Sequence, residues 1–321
     1  MGKVITVLDS SVYNHIAAGE VVERPASVIK ELVENSIDAG ATRIDIEIEN
    51  GGISKIKVSD NGSGIDKEFV KTAFMPHATS KIAKIDDLDN ILTLGFRGEA
   101  LASIAAVSRV LMITKTEEND IASAIELEGG TVLKQYETGR TTGTTTTVSD
   151  LFFNVPARKK FLKKDKSEEQ EVTALISRFI LANPHIYFSY KADGKTIFSA
   201  PGTNLEDAIF SIYGKEAISE TLKVDLSKGE YKVWGYVGRP SFSKPNRTYQ
   251  TLVINGRYVV NNTISVAIAN AFGEMLMKRK YPFYVLHMTL PAGEIDVNVH
   301  PNKLDVRFAN NSLVYSLFFE G

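Results

Sequence analysis

The stretch Pro25-Ala26-Ser27-Val28-Ile29-Lys30-Glu31-Leu32-Val33-Glu34-Asn35-Ser36-Ile37-Asp38-Ala39-Gly40 decides how this chain is read. Proline suits the first turn of a helix and glycine its C-terminal cap, so a helix is expected from about Pro25 to Ala39. At about 100° per residue, Glu31, Asn35 and Asp38 share a narrow polar stripe, while Ile29, Leu32, Val33 and Ile37 turn toward a core. A carboxylate and an amide one turn apart can share a divalent ion and a water. An ordinary amphipathic helix carries the same pattern, so the stripe acquires meaning only beside the neighbouring segments of the chain.

Immediately downstream, Ile44, Ile46 and Ile48 alternate with charged residues, Gly51-Gly52 supplies a turn, and Ile56 and Val58 alternate again, the period-two signature of a hairpin. The second strand delivers Asp60 to the mouth of the sheet, followed by Asn61-Gly62-Ser63-Gly64. A carboxylate held there can accept a hydrogen bond from an exocyclic amine such as that of adenine, and Gly62 and Gly64 let backbone approach a flat ligand. A plain Asp-Asn-Gly turn is the bland alternative. A third segment, Leu94-Gly95-Phe96-Arg97-Gly98-Glu99-Ala100-Leu101-Ala102-Ser103-Ile104, is a glycine-bearing loop entering an alanine-rich helix, whose free amides favour phosphate oxygens. It has neither the P-loop string nor the Gly-x-Gly-x-x-Gly spacing.

The joint occurrence of these segments in this order resembles the GHKL ATPases. Glu31 and Asn35, Asp60 to Gly64, Gly95 to Gly98 and the Gly143-Thr144 pair are similar to the four nucleotide-binding motifs of that group. Within it the chain most resembles the MutL mismatch-repair family. The strings that carry this are Ile16-Ala17-Ala18-Gly19-Glu20-Val21-Val22-Glu23-Arg24-Pro25, His77-Ala78-Thr79-Ser80-Lys81, Gly95-Phe96-Arg97-Gly98-Glu99-Ala100-Leu101 and Asn298-Val299-His300-Pro301-Asn302-Lys303. The resemblance implies an α+β architecture: a GHKL (Bergerat-type) ATPase domain with a mixed sheet backed by helices over residues 1–203, including an N-terminal arm of about 1–20. A ribosomal-S5-like βαβ domain with a left-handed crossover is implied over 204–321. Sequence pattern alone gives only α+β.

The same resemblance implies ATP hydrolysis assisted by Mg²⁺. Glu31 would be the general base, Asn35 the metal ligand, and Asp60 the reader of adenine N6, with Gly62, Gly64 and Thr144 supporting the pocket. Thr79, Ser80, Gly95, Phe96, Arg97, Gly98, Glu99, Ala100 and Leu101 would hold phosphates and form a lid. Lys303 would reach the γ-phosphate from the second domain, making ATP but not ADP draw the domains together. Implied partners are DNA, a second copy of the chain in an ATP-dependent homodimer, a mismatch-recognition protein and a downstream nuclease or helicase. A C-terminal dimerisation domain is expected beyond this chain. A strand-passing topoisomerase subunit and a non-hydrolysing ATP-gated scaffold remain the alternatives.

Bulk composition agrees with this reading without selecting it. With 321 residues and 43% hydrophobic content, two domains are expected rather than one. No run is long enough for a transmembrane helix and Met1-Gly2-Lys3-Val4-Ile5-Thr6 lacks a signal-peptide pattern, so no membrane association and a cytoplasmic, nucleoid-associated location are expected. The absence of cysteine removes disulfides and thiolate metal sites, and the five histidines show no ligand spacing. Net charge is only −2, from 37 basic and 39 acidic residues, so affinity for nucleic acid must come from local patches. Pro156-Ala157-Arg158-Lys159-Lys160-Phe161-Leu162-Lys163-Lys164-Asp165-Lys166 carries six basic residues, and Lys278-Arg279-Lys280 is a smaller cluster. Arg158, Lys159, Lys160 and Lys163 are the candidate DNA contacts; a solvated helix face reads the same by charge alone. Asn261 and Asn262 stand where some members of the resembled family carry arginines proposed to touch DNA.

Further along, strands are expected at Arg109 to Lys115, Ile121 to Glu128, Thr131 to Tyr136 and Thr144 to Val148, and a long helix from about Glu168 to Leu181. A hairpin turn at Ala192-Asp193-Gly194-Lys195 and a linker at Pro201-Gly202-Thr203-Asn204 precede a helix at Leu205 to Tyr213. The second unit is expected to contain strands near Tyr231 to Val237, Tyr249 to Ile254 and Phe283 to Leu290, a helix at Thr263 to Leu276 and a short helix after Asn311.

Overall fold

A computed structural model describes residues 21–79, 98–296 and 306–321. They group into two compact units, one extending to Ile176 and resuming at Ile186–Ser199, the other formed by Ser177–His185 and Ala200–Gly321. The division therefore cuts through the long helix rather than falling at one point near residue 203.

The first unit contains, in chain order, α1 (Pro25–Asp38), β1 (Arg43–Glu49), β2 (Lys55–Asp60), α2 (Ala100–Ala106), β3 (Arg109–Lys115), β4 (Ala122–Glu128), β5 (Thr131–Thr138), β6 (Gly143–Ser149), α3 (Pro156–Lys159), most of α4 (Asp165–Ala182), β7 (Tyr187–Ala192) and β8 (Lys195–Ala200). The strands form one mixed sheet in the order β5-β4-β3-β6-β2-β1-β7-β8, in which β1 and β7 run parallel. Period two governs which side chains are covered. A single row across the sheet, Tyr190, Ile46, Val58, Thr146, Met112 and Ile125, is connected strand to strand by register and is buried throughout. Helix α1 buries Pro25, Val28, Ile29, Leu32, Val33 and Ser36, spacings of three and four residues that keep one stripe inward. On α4, Val172, Ile176 and Ile180 are buried at intervals of four, and Thr173 Oγ1 lies 3.3 Å from the Tyr190 hydroxyl of β7.

One detail of this packing differs from the sequence reading. Ser36, not Ile37, is the fully covered residue of the last turn of α1. The alternation that buries Ile56 and Val58 brings Asp60 to the same side of the sheet two residues later, and that is where Ser36 meets it.

The second unit continues with α5 (Leu205–Tyr213), α6 (Lys215–Ser219), β9 (Thr221–Lys228), β10 (Tyr231–Gly238), β11 (Gln250–Ile254), β12 (Arg257–Val259), α7 (Asn262–Phe272), β13 (Tyr284–Thr289), β14 (Ile295–Asp296), β15 (Arg307–Phe308) and α8 (Asn311–Glu320). Five strands form a sheet in the order β12-β11-β13-β10-β9, with β11 and β13 parallel. Helix α7 lies between those two strands in sequence, which makes a β-α-β crossover. One core joins Leu252 and Ile254 of β11, Ile264 and Ile268 of α7, Leu286 and Met288 of β13, and Val314 and Leu317 of α8. The helix expected to reach Leu276 ends at Phe272, because Gly273 takes a left-handed φ of 50° and terminates it. Among the described residues no helix is long and apolar enough to cross a membrane.

His287 of β13 is 5% exposed, stacks on Trp234 with ring centroids 4.2 Å apart, and places Nε2 3.0 Å from the Leu181 carbonyl oxygen. Burial pushes its pKa down to about 4, against a smaller opposing pull from the Leu181 hydrogen bond. A depressed histidine pKa means that the unfolded chain takes up the proton first. The stability His287 confers is therefore complete above about pH 6.5 and is lost as pH falls toward 4, at about 1.4 kcal/mol per unit. Urea unfolding followed by the fluorescence of Trp234, the single tryptophan, is expected to show this decline between pH 7 and pH 5. The His287→Gln variant should lack that component; an identical pH dependence in both proteins would show that His287 is not its source.

Candidate nucleotide site and basic segment

On α1 the candidate base is held by its neighbour. The Lys30 ammonium lies 3.0 Å from Glu31 Oε1 and 3.0 Å from Glu34 Oε2, bridging adjacent and i, i+4 carboxylates. Burial pulls the Lys30 pKa down, but the attraction of Glu34 and Glu31 outweighs it and leaves the group above its ordinary value. Glu31, Asn35 and Asp38 all occupy the half-buried flank of the helix, accessible from one side. Glutamate oxygens and the Asn35 amide oxygen are hard donors of the kind Mg²⁺ takes alongside water and phosphate.

Asp60 is the most constrained side chain of the set. Its Oδ2 accepts a hydrogen bond from Ser36 Oγ at 2.8 Å, while Oδ1 accepts from the backbone N–H groups of Gly62 at 2.9 Å and Thr144 at 3.1 Å. Three donors from three segments fix the carboxylate plane, yet a carboxylate has about four acceptor positions, so capacity remains for a ligand N–H. The loop after β2 packs tightly enough to explain its glycines. A Cβ on Gly62 would lie 2.8 Å from both Cβ and the carbonyl oxygen of Ala39, and one on Gly64, at φ 73°, would overlap the Lys115 carbonyl. Thr114 ties the surrounding strand ends together: its Oγ1 accepts from Ile65 N at 2.8 Å and lies 2.9 Å from Thr144 Oγ1. The candidate residues Asp60, Gly62, Gly64 and Thr144 are thus gathered at one end of β2 and β6.

Three residues of this end escaped the sequence reading: Ser36, Thr114 and Arg140. Arg140 donates from Nη2 to the Asp60 carbonyl oxygen at 2.8 Å and from Nε to Thr145 Oγ1 at 3.1 Å. Burial lowers its pKa and the Asp60 charge partly opposes that, but a guanidinium remains cationic throughout the accessible range. A fixed positive charge therefore stands beside the Asp60 carboxylate. The available signal was its position three residues before Gly143-Thr144 in Arg140-Thr141-Thr142-Gly143.

The third motif is described from Gly98 onward. Gly98, at φ 63°, approaches the Ala78 backbone closely, and His77 Nδ1 lies 3.3 Å from Glu99 Oε1, so the His77–Thr79 and Gly98–Glu99 segments are neighbours. Ala100 and Leu101 begin α2. Ser80, Gly95, Phe96, Arg97 and Lys303, together with the arm over 1–20, lie outside the described residues.

The basic segment is less uniformly available than its composition suggests. After α3 the chain turns, and Glu168, fully buried on α4, accepts the Lys163 N–H through Oε1 at 2.8 Å. The Lys163 ammonium pairs with Glu171, whose other oxygen pairs with Arg24 at 2.5 Å. Lys166 pairs with Glu169 at 2.7 Å. Lys163 must therefore leave a carboxylate before it can serve a phosphate, whereas Lys159 and Lys160 are exposed with no carboxylate partner among the described residues. Arg158 is only partly exposed. In the second unit, Asn261 is a helix cap rather than a surface contact: its Oδ1 accepts from Ile264 N at 3.1 Å, its Nδ2 donates to the Val306 carbonyl at 3.2 Å, and it is 7% exposed. Asn262 is exposed.

Residues 23–148 match the family described as Histidine kinase-, DNA gyrase B-, and HSP90-like ATPase, and residues 209–321 match DNA mismatch repair protein, C-terminal domain. The chain is 46% identical over 312 residues to the DNA mismatch repair protein MutL of Agathobacter rectalis, covering 97% of this chain and 48% of that protein. It is 45% identical over 315 residues to the protein of the same name from Clostridium tetani, covering 98% and 51%. The chain thus spans about half the length of the relatives it matches. Among solved structures, the crystal structure of the N-terminal domain of a DNA repair protein superimposes with a TM-score of 0.81 at 29% identity, over 96% of this chain and 95% of that one. The Aquifex aeolicus MutL ATPase domain complexed with ADP gives 0.68 at 26% identity, over 94% and 99%.

Proposed function

Because this chain belongs to the MutL family and has the GHKL ATPase fold followed by the S5-like domain, we propose that it binds and slowly hydrolyses Mg-ATP and uses that cycle in DNA mismatch repair. The observation that carries the reading is the Asp60 carboxylate, fixed by Ser36, Gly62 and Thr144 beneath the helix that bears Glu31 and Asn35. Asp60 accepts the adenine N6 hydrogen, with Gly64 and Thr144 shaping the pocket. Glu31 orients a water and takes its proton as the γ-phosphate is attacked; positioning is the larger part of such catalysis. Asn35 would hold Mg²⁺, which would supply neutralisation of charge on the phosphates. Thr79 and the Gly98–Leu101 segment, with residues outside the described set, are assigned to phosphate binding and the lid.

On this reading ATP brings two copies together, and the dimer engages DNA, a mismatch-recognition protein and a downstream nuclease or helicase at the nucleoid. The kinship to mismatch-repair proteins favours this over a strand-passing topoisomerase subunit. Steady-state phosphate release from Mg-ATP tests the enzymatic claim. Measurable turnover that depends on Mg²⁺ is expected; ATP binding without any phosphate release would leave a nucleotide-gated scaffold instead.

The DNA surface is assigned to Lys159 and Lys160 first, with Lys163 held in reserve by Glu171. Replacing both Lys159 and Lys160 with glutamate is expected to weaken duplex binding and to flatten its salt dependence by roughly one unit per lost phosphate contact. Fluorescence anisotropy across a salt series reads this directly. An unchanged slope would remove the segment from the DNA surface.

A further inference from the structure

The pairing of β2 with β6 stops one residue short of Asp60. Its last pair is Ser59 with Thr145, so the ladder offers the Asp60 carbonyl no partner on β6. The Arg140 guanidinium stands there instead. Nη2 donates to the Asp60 carbonyl oxygen at 2.8 Å and to Ser59 Oγ at 3.3 Å, Nε to Thr145 Oγ1 at 3.1 Å, and Nη1 to the Thr141 carbonyl at 3.1 Å. Ser59 Oγ and Thr145 Oγ1 are themselves 2.8 Å apart, so one planar fork closes a network across two strand ends and the loop leading into β6. Gly143 leaves room for it: at φ 119°, a Cβ there would lie 2.2 Å from the Asp60 carbonyl oxygen and 2.9 Å from Arg140 Nη1.

Every acceptor in this network is a neutral oxygen, so the contacts fix geometry rather than pair charges. What they fix is the position of Asp60 against Thr144. The carboxylate belongs to β2, whereas the Thr144 N–H that it accepts belongs to β6. Adenine presents a donor at its 6-position and guanine a carbonyl, so an acceptor at Asp60 suits the first and repels the second. That distinction holds while the carboxylate stands still, because a group that can turn or withdraw relieves the mismatch.

We propose that Arg140 is a positioning residue for base selection: by clamping the end of β2 to the start of β6, it aims the Asp60 carboxylate so that a 6-amino purine is preferred. This role rests on the reading of Asp60 as the acceptor of the adenine N6 hydrogen and adds the residue that makes that acceptor selective. Arg140 acts through Asp60 and leaves the reaction at Glu31 untouched.

The test compares ATP with purine riboside 5′-triphosphate, which lacks the 6-amino group, by competition against a fluorescent ATP analogue on the full chain. The unmodified chain is expected to prefer ATP by about tenfold or more. Arg140→Met should weaken ATP binding by about tenfold, leave purine riboside triphosphate within about twofold, and keep phosphate release at saturating ATP within about twofold. In the Asp60→Asn background the same substitution should cause no further loss of ATP affinity. Equal losses on both nucleotides, no loss on either, or a full additional loss in the Asp60→Asn background would overturn the proposal. Should Arg140→Met fail to fold, Thr145→Val decides in its place by removing the hydroxyl that accepts from Nε: a reduced preference for ATP supports the clamp, and an unchanged one overturns it. Asp60→Asn separates the two levels. If it keeps the preference for ATP, the reading of Asp60 is wrong and the role of Arg140 falls with it; if it abolishes the preference while Arg140→Met does not, only the role of Arg140 fails.

Discussion

Replacing Glu31 with alanine is expected to reduce ATP turnover by about 100-fold or more while leaving ATP affinity within a few-fold of its original value. The asymmetry follows from the ion pairs on α1. Lys30 bridges Glu31 and Glu34, so the trio carries one net negative charge, and removing Glu31 brings that to zero. A polyanionic ligand meets less repulsion, so binding has no electrostatic reason to fail, whereas the proposed proton acceptor is gone. Single-turnover phosphate release and equilibrium binding of a fluorescent ATP analogue separate the two effects. Undiminished turnover in Glu31→Ala would show that the base lies elsewhere.

Replacing Asp60 with asparagine should produce the opposite pattern: loss of binding, by about 100-fold or more, with the fold retained. An asparagine can keep its carbonyl toward the Gly62 and Thr144 N–H groups and turn its NH₂ toward Ser36 Oγ, which can switch from donor to acceptor. The local network survives in this arrangement. A ligand amine now meets a donor where it needs an acceptor, and a buried donor facing a donor is costly. Thermal unfolding of Asp60→Asn without nucleotide should lie within a few degrees of the unmodified chain, and added ATP should no longer raise it. Retained ATP stabilisation would remove Asp60 from the recognition role.

The parts of this arrangement that could be read from the sequence are those set by short-range periodicity. Pro25 and the three-four spacing of Ile29, Leu32 and Val33 specify α1, and the alternation of Ile44, Ile46 and Ile48 with Ile56 and Val58 specifies a hairpin whose pairs are Ile48 with Ile56 and Ile46 with Val58. What could not be read is what depends on partners distant in sequence. Ser36 looks like a neutral helix residue until Asp60 is brought under it, and Lys163 looks like a free cation until Glu171 is brought beside it by the turn before α4. Arg140 lies among threonines with no periodic pattern of its own, and its role appears only when β6 pairs with β2 and carries it to the Asp60 carbonyl. Asn261 shows the converse: its position is explained by a local rule, since an asparagine before a helix is a strong cap.

The rigidity of α1 has a mechanical consequence. Ser36 and Glu31 are five residues apart on one helix, a rotation of about 140° at 100° per residue, so the side chain that steadies the proposed adenine reader and the proposed base are two teeth of one gear. No substitution that rolls the helix can retune one without misaiming the other. On the proposed roles, recognition and proton transfer therefore shift together when the helix rolls, and within the helix only replacing one of the side chains themselves changes one alone.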